Sequence, residues 1–153
     1  MNLEDDKKWM QEAIHQAEIA ASEGEVPVGA VAVLGDSLIA VAYNKREKTK
    51  DPLGHAELLL LRKVAKLQRS WRLEDITVYV TCEPCLMCAG ALVQARVKRV
   101  VFGCLDPKAG AFGSLYDFSK DERLNHKVEV EGGVLSDECG SLLKIFFKKL
   151  RSK

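Results

Sequence analysis

The chain has 153 residues, of which 47% are hydrophobic and 29% charged; 23 lysines and arginines against 22 acids leave a net charge of +1. This is the make-up of a single domain, spanning 1–153, that is long enough to bury its own core. It excludes a disordered chain, a collagen-like fibre and a disulfide-dense secreted scaffold. Charge is unevenly spread, with six acids and two bases in 1–23 and five bases and no acid in 144–153. A basic end suits a polyanionic partner. On charge alone the simpler reading is preferred, a solvated helix end whose lysines complement the helix dipole.

No apolar run reaches the ~20 residues of a membrane span. The opening Met1-Asn2-Leu3-Glu4-Asp5-Asp6 has neither the cationic nor the apolar segment of a secretory signal. Cysteines stand at 82, 85, 88, 104 and 139, an odd count with three inside seven residues. Such clustering suits metal ligands or redox thiols in a reducing compartment better than bridges. The expectation is a soluble, cytoplasmic protein with no membrane contact.

In chain order, Trp9, Ala13, Ala17 and Ala20 recur at helical spacing and predict an amphipathic helix over 5–23, ended by Gly24. Residues 28–34 and 37–43 read as two strands joined at Gly35-Asp36, a hairpin. Residues 44–54 read as a polar loop and 55–68 as a second helix. A strand follows over 76–81, with Ile76, Val78 and Val80 on one face. Pro84 is expected to open a helix running to about Ala95, since proline suits a first turn. Residues 98–103 read as a short buried strand and 104–119 as a loop. A weak strand is expected within 127–135, interrupted by Gly132-Gly133, then a helix from an N-cap at Ser136 to about Leu150. The order α-β-β-α-β-α-β-β-α implies one mixed sheet with helices on its faces.

Two segments carry chemistry: His55-Ala56-Glu57 and Pro84-Cys85-Leu86-Met87-Cys88. Cysteines three apart at a helix start share a face, and the helix N-terminus favours thiolate. Alone, that pair is equally a zinc half-site, a redox couple or chance. His55 shifts the balance, because one imidazole and two thiolates with no obvious fourth ligand make the open pattern of a catalytic zinc site. Glu57, two residues on, can face the same cleft as a proton shuttle. Against this stand the ordinary roles of a histidine near a helix start and of a glutamate in a first turn. Cys82 competes with His55 as third ligand, but it should leave the strand before the next helix begins. Cys104 and Cys139 read as small buried hydrophobes, and His15 and His126 as structural or exposed.

His-x-Glu followed by Pro-Cys-x-x-Cys is the known signature of the zinc nucleobase deaminases. The chain resembles the bacterial tRNA-specific adenosine deaminases over nearly its whole length. Beyond the zinc motifs, the resemblance rests on Glu25-Val26-Pro27-Val28-Gly29-Ala30, Tyr79-Val80-Thr81-Cys82-Glu83, Arg99-Val100-Val101-Phe102-Gly103, Gly110-Ala111-Phe112-Gly113-Ser114-Leu115 and Asn125-His126-Lys127-Val128. It departs from the family at Cys82, where an aliphatic residue is usual, and in the loop Lys45–Lys50 with Leu53-Gly54. The resemblance implies a three-layer α/β/α fold around a mixed five-stranded sheet, of cytidine deaminase-like type. It implies deamination of adenosine to inosine at the wobble position of a tRNA anticodon loop. It also implies one zinc ion per subunit on His55, Cys85 and Cys88, with Glu57 catalytic. Asn44, Ala56, Val26 and Pro27 would meet the base, Arg96, Lys98, Arg99 and the basic C-terminus would meet phosphates, and the active form would be a homodimer. The rival within the superfamily is a deaminase of free bases or nucleotides of guanine or cytosine type. Further off lie a non-catalytic zinc module and a thiol redox protein.

Overall fold

A computed structural model describes residues 2–152. The first helix, α1 (Leu3–Ser22), begins two residues earlier than expected because Asn2 caps it, its Oδ1 accepting the Asp5 N–H at 3.0 Å. Trp9, Met10, Ala13, Ile14, Ala17 and Ala20 form its buried face. It ends in a Schellman arrangement: Gly24 takes φ +80°, its N–H bonds the Ala21 carbonyl, and the Glu25 N–H reaches back to Ala20. The chain thereby turns Glu25 and Val26 toward the sheet.

The strands β1 (Gly29–Leu34) and β2 (Ser37–Tyr43) form the expected antiparallel hairpin. The following polar stretch is not wholly loop. It contains α2 (Arg46–Thr49), a single turn with no buried residue and hence no apolar signature. The helix α3 (Ala56–Gln68) leads to β3 (Ile76–Cys82), α4 (Leu86–Gln94), β4 (Arg99–Cys104), β5 (Glu129–Glu131) and α5 (Ser136–Arg151).

Three boundaries differ from expectation. Pro84 does not open α4; the chain stays extended through Cys85, which occupies the N-cap position at φ −74°, ψ 176°. The cause is tertiary, since the Pro84 carbonyl accepts the Ala111 N–H at 2.9 Å and Cys85 pairs with Gly110 in an isolated bridge. Ser136 is the first residue of α5 rather than its cap. Leu135 holds the cap position in left-handed conformation, φ +52°, without a side-chain bond. The weak strand contracts to three residues because the Gly132-Gly133 pair bends away against Phe102, leaving space for no side chain at Gly132.

The sheet runs β2-β1-β3-β4-β5, with β1 antiparallel to both neighbours and β3, β4 and β5 parallel. Alternation along the strands sends Ala30, Ala32, Val78, Val80, Val100 and Phe102 to one face, where α3 and α4 pack. Val31, Val33, Tyr79 and Val101 go to the other, against α1 and α5. This is the anticipated three-layer arrangement, with β3 buried along its whole length. Gly29 sets how closely α1 approaches: a Cβ there would lie 2.1 Å from the Ala13 carbonyl oxygen and 2.5 Å from the Ala17 nitrogen. Among the described residues no helix is long and apolar enough to cross a membrane.

Candidate metal centre and cleft

The parallel strands β3 and β4 end side by side, with Cys82 and Cys104 in register. Loops at such strand ends build the sites of open α/β sheets. Here the chain from β3 turns into α4, and α3 begins alongside. His55 stands at the N-cap position of α3 yet makes no capping bond itself. Asn44 caps in its stead: its Oδ1 accepts the Ala56 N–H at 2.8 Å. The imidazole is left free to turn inward.

It meets the two cysteines of α4. His55 Nδ1 lies 3.6 Å from Cys85 Sγ and 3.3 Å from Cys88 Sγ. The three donor atoms lie within 4.8 Å of one another, the only such group among the described residues. None of the five cysteines is disulfide-bonded. Cys85 is held down to about 4 by the hydrogen bond from the Cys88 thiol and by His55, against the opposing effect of burial. Cys88 is correspondingly pushed up, since it donates to Cys85 and is itself buried. A site that stabilises thiolate beside imidazole fits a soft or borderline cation. Cys82 lines the cleft but lies outside the donor group, paired instead with Cys104 across the strands.

Glu57, on the first turn of α3, is 4% exposed. Burial pushes its carboxyl up to about 7, with its backbone hydrogen bond and His55 pulling the other way. A carboxyl poised near neutrality can accept and return a proton at working pH.

His55, Glu57 and Cys85 line a cleft of about 760 Å³, and Cys88 is buried. Val26, Val28 and Asn44 form one wall; Leu105, Asp106, Lys108 and Ala109 form another. Leu143, Lys144, Phe147 and Arg151 of α5 close a third side, so the basic end of the chain is not simply a solvated helix end. Of the residues singled out from sequence, Pro27 and Ala56 are buried and do not line the cleft, although the Ala56 N–H holds Asn44. Arg99 is not free for phosphate. It lies in a bidentate pair with Asp6, at 2.8 and 2.9 Å, and its side chain is largely buried. His126 is structural, its Nε2 donating to the Val97 carbonyl at 2.7 Å. Two buried carboxylates beside the cleft, held by backbone amides, were given no role by the sequence reading. Glu25 accepts the N–H groups of Glu47 and Lys48 and so seats α2, whose Arg46 lines the cleft. Glu83 gathers the loop after β4. No periodicity marks a buried acid whose partners are backbone amides.

The mixed sheet, with a donor group that could hold a metal ion and a buried carboxylate at its strand ends, fits the α/β deaminase class. The chain belongs to the deaminase family described by the MafB19-like model, matched over residues 4–151, and to the family of the tRNA-specific adenosine deaminases. It is 49% identical over 148 residues to the tRNA-specific adenosine deaminase of Bacillus subtilis, covering 97% of this chain and 92% of that protein. With the tRNA-specific adenosine deaminase of Haemophilus influenzae it shares 45% over 149 residues, 97% and 86% of the two chains. A solved structure from a study of A-to-I editing by tRNA:A34 deaminases at the wobble position of transfer RNA superposes with a TM-score of 0.86 at 35% identity, covering 89% of this chain and 99% of that one. The guanine deaminase of Nitrosomonas europaea shares the fold at TM-score 0.77 and 21% identity, over 92% and 83%. The fold is thus cytidine deaminase-like, as the resemblance implied.

Proposed function

We propose that this chain hydrolyses the amino group at C6 of adenosine at the wobble position of a tRNA anticodon loop, releasing ammonia and leaving inosine. The observation that carries this reading is the open group of His55, Cys85 and Cys88 with the buried Glu57 beside it, in a chain so similar to named adenosine deaminases.

The donor set suits zinc, one ion per chain. Zn–N and Zn–S bonds of ~2.0–2.3 Å at a tetrahedral angle put nitrogen and sulfur about 3.6 Å apart. The separations of 3.6 and 3.3 Å agree with this. Zinc bound there would supply the activation of water as a nucleophile. Glu57 takes the proton of the attacking water and delivers it to the purine ring nitrogen. It then takes the remaining proton from the new C6 hydroxyl and passes it to the departing amino group, which leaves as ammonia, so one carboxyl serves both transfers. Asn44 orients the base through its amide NH2, because its oxygen is engaged by Ala56. Val26 and Val28 give the base an apolar wall, with the buried Pro27 fixing the turn between them.

An anticodon loop is already single-stranded, which lowers the cost of swinging a base into the cleft. Arg46, Lys108, Lys144 and Arg151 ring its mouth, where phosphates would pass. Exposed Leu86, next to Cys85, is what a second copy in a homodimer would cover. Acting on tRNA, the enzyme works in the cytoplasm. The deciding experiment incubates the purified protein with an anticodon stem-loop bearing adenosine at the wobble position and, separately, with free adenosine, guanine and cytidine. Inosine in the hairpin supports the reading. Conversion of a free base or nucleoside with no change in the hairpin overturns it.

A further inference from the structure

The cleft wall from Leu105 to Ala109 belongs to an irregular loop, and its position must be fixed by something other than a strand or helix. Glu83 fixes it. This residue is 3% exposed, directly after β3. Its Oε1 accepts the Asp106 N–H at 3.0 Å and the Ser114 hydroxyl. Its Oε2 accepts the N–H groups of Phe112 at 3.1 Å and Ser114 at 3.0 Å. A carboxylate offers about four acceptor positions, so none is left over for a substrate or a mobile proton. The loop is shaped to the carboxylate: a Cβ at Gly110 would stand 2.2 Å from its carboxyl carbon. The span is held within the wall itself, at Asp106, and beyond it, at Phe112 and Ser114.

We propose that Glu83 is a positioning residue for deamination of a polynucleotide, setting the distance between the 105–109 wall and the metal centre that an RNA loop needs. It acts through the loop and not on the reacting atoms. The proposal rests on the function argued above, and its test separates the two.

Glu83→Gln keeps the shape but turns one acceptor oxygen into a donor facing amide and hydroxyl donors. The expected result is a KM for the anticodon stem-loop raised about tenfold with kcat within about threefold, the scale of one lost charge-assisted bond. Zinc content is expected to stay at one ion per chain. Gly110→Ala, with Glu83 intact, should give the same split by crowding the loop off the carboxylate. Amide hydrogen exchange should quicken at Asp106, Phe112 and Ser114 in Glu83→Gln and stay unchanged at Ala56. A fall in kcat at constant KM, loss of zinc, or lowered stability with both constants unchanged overturns the proposal. Should wild type leave the hairpin unaltered, the functional reading fails on its own, and exchange still decides the clamp: unchanged protection sinks it. Should Glu83→Gln not fold, Ser114→Ala removes the hydroxyl bond alone, and an unaltered KM in that variant is equally decisive against it.

Discussion

Asn44 caps a helix that it does not belong to: its side-chain oxygen takes the first free N–H of α3, at Ala56, from the end of β2. His55, at the cap position itself, is thereby released to face Cys85 and Cys88. Capping and the proposed base recognition are therefore separable on one side chain. Asn44→Asp retains the oxygen and should keep the folded stability and bound metal of wild type, while losing the amide donor and with it much of the affinity for the base. Asn44→Ala loses both, and thermal unfolding should show a cost of about 1 kcal/mol. Equal stability loss in the two variants would contradict the division.

Glu57→Gln cannot carry a proton but fills the same volume. Turnover should fall by about 10²–10⁴-fold, the usual worth of a general acid–base. Metal analysis should find zinc retained, because Glu57 is outside the donor group. Cys88→Ala should instead lose metal and activity together. Retention of full activity in either variant would refute the assigned roles.

Lys144 and Arg151 reach the cleft from α5. Removing either cation should raise KM for the hairpin, leave kcat nearly unchanged and flatten the salt dependence of binding by about one unit of log–log slope. Titrations across a series of salt concentrations give the slope directly. An unchanged slope would mean that these side chains meet no phosphate.

At the other end of the strands, Asp6 of α1 receives Arg99 of β4 twice and the Tyr79 hydroxyl once, at 2.8 Å. Burial pushes the Asp6 carboxyl up, but the bonds from Arg99 and Tyr79 outweigh it and hold the group below its ordinary 3.8. A carboxyl lowered on folding stabilises the fold fully above its unfolded value, and the contribution drains away as acid carries the pH down through the folded one. Wild type should therefore lose stability below about pH 4. Asp6→Asn should show a flatter acid limb and a lower plateau at neutral pH, by about 3 kcal/mol for a broken, largely buried pair. Denaturant melts between pH 3 and 7 test both points.

Local spacing made some of this architecture readable in the sequence. Ile76, Val78 and Val80 announce a strand face by alternation, and His55, Glu57, Cys85 and Cys88 are conspicuous because their chemistry lies in short segments at helix starts. What stayed hidden depends on partners distant in the chain. Arg99 looked like a phosphate ligand until Asp6, 93 residues away, was seen to hold it. Pro84 suited a helix start by propensity, but Ala111 and Gly110 pull that backbone straight. The turn α2 buries nothing, so no pattern marks it; its seat is the Glu25 carboxylate. The basic end of α5 reads the same whether it faces water or a cleft, and only the packing of Cys139 against the sheet decides which side lines the site.

The near-contact at Gly29 bears on how this molecule tolerates change. Its backbone angle is one any amino acid accepts, yet helix and strand touch there without an intervening side chain, and its N–H bonds the Thr81 hydroxyl at 3.2 Å just before the cleft begins. Even a methyl group would have to lever α1 off the sheet. Position 29 is therefore as intolerant of variation as a metal ligand, for purely steric reasons, and its invariance in any set of active variants would carry no information about catalysis.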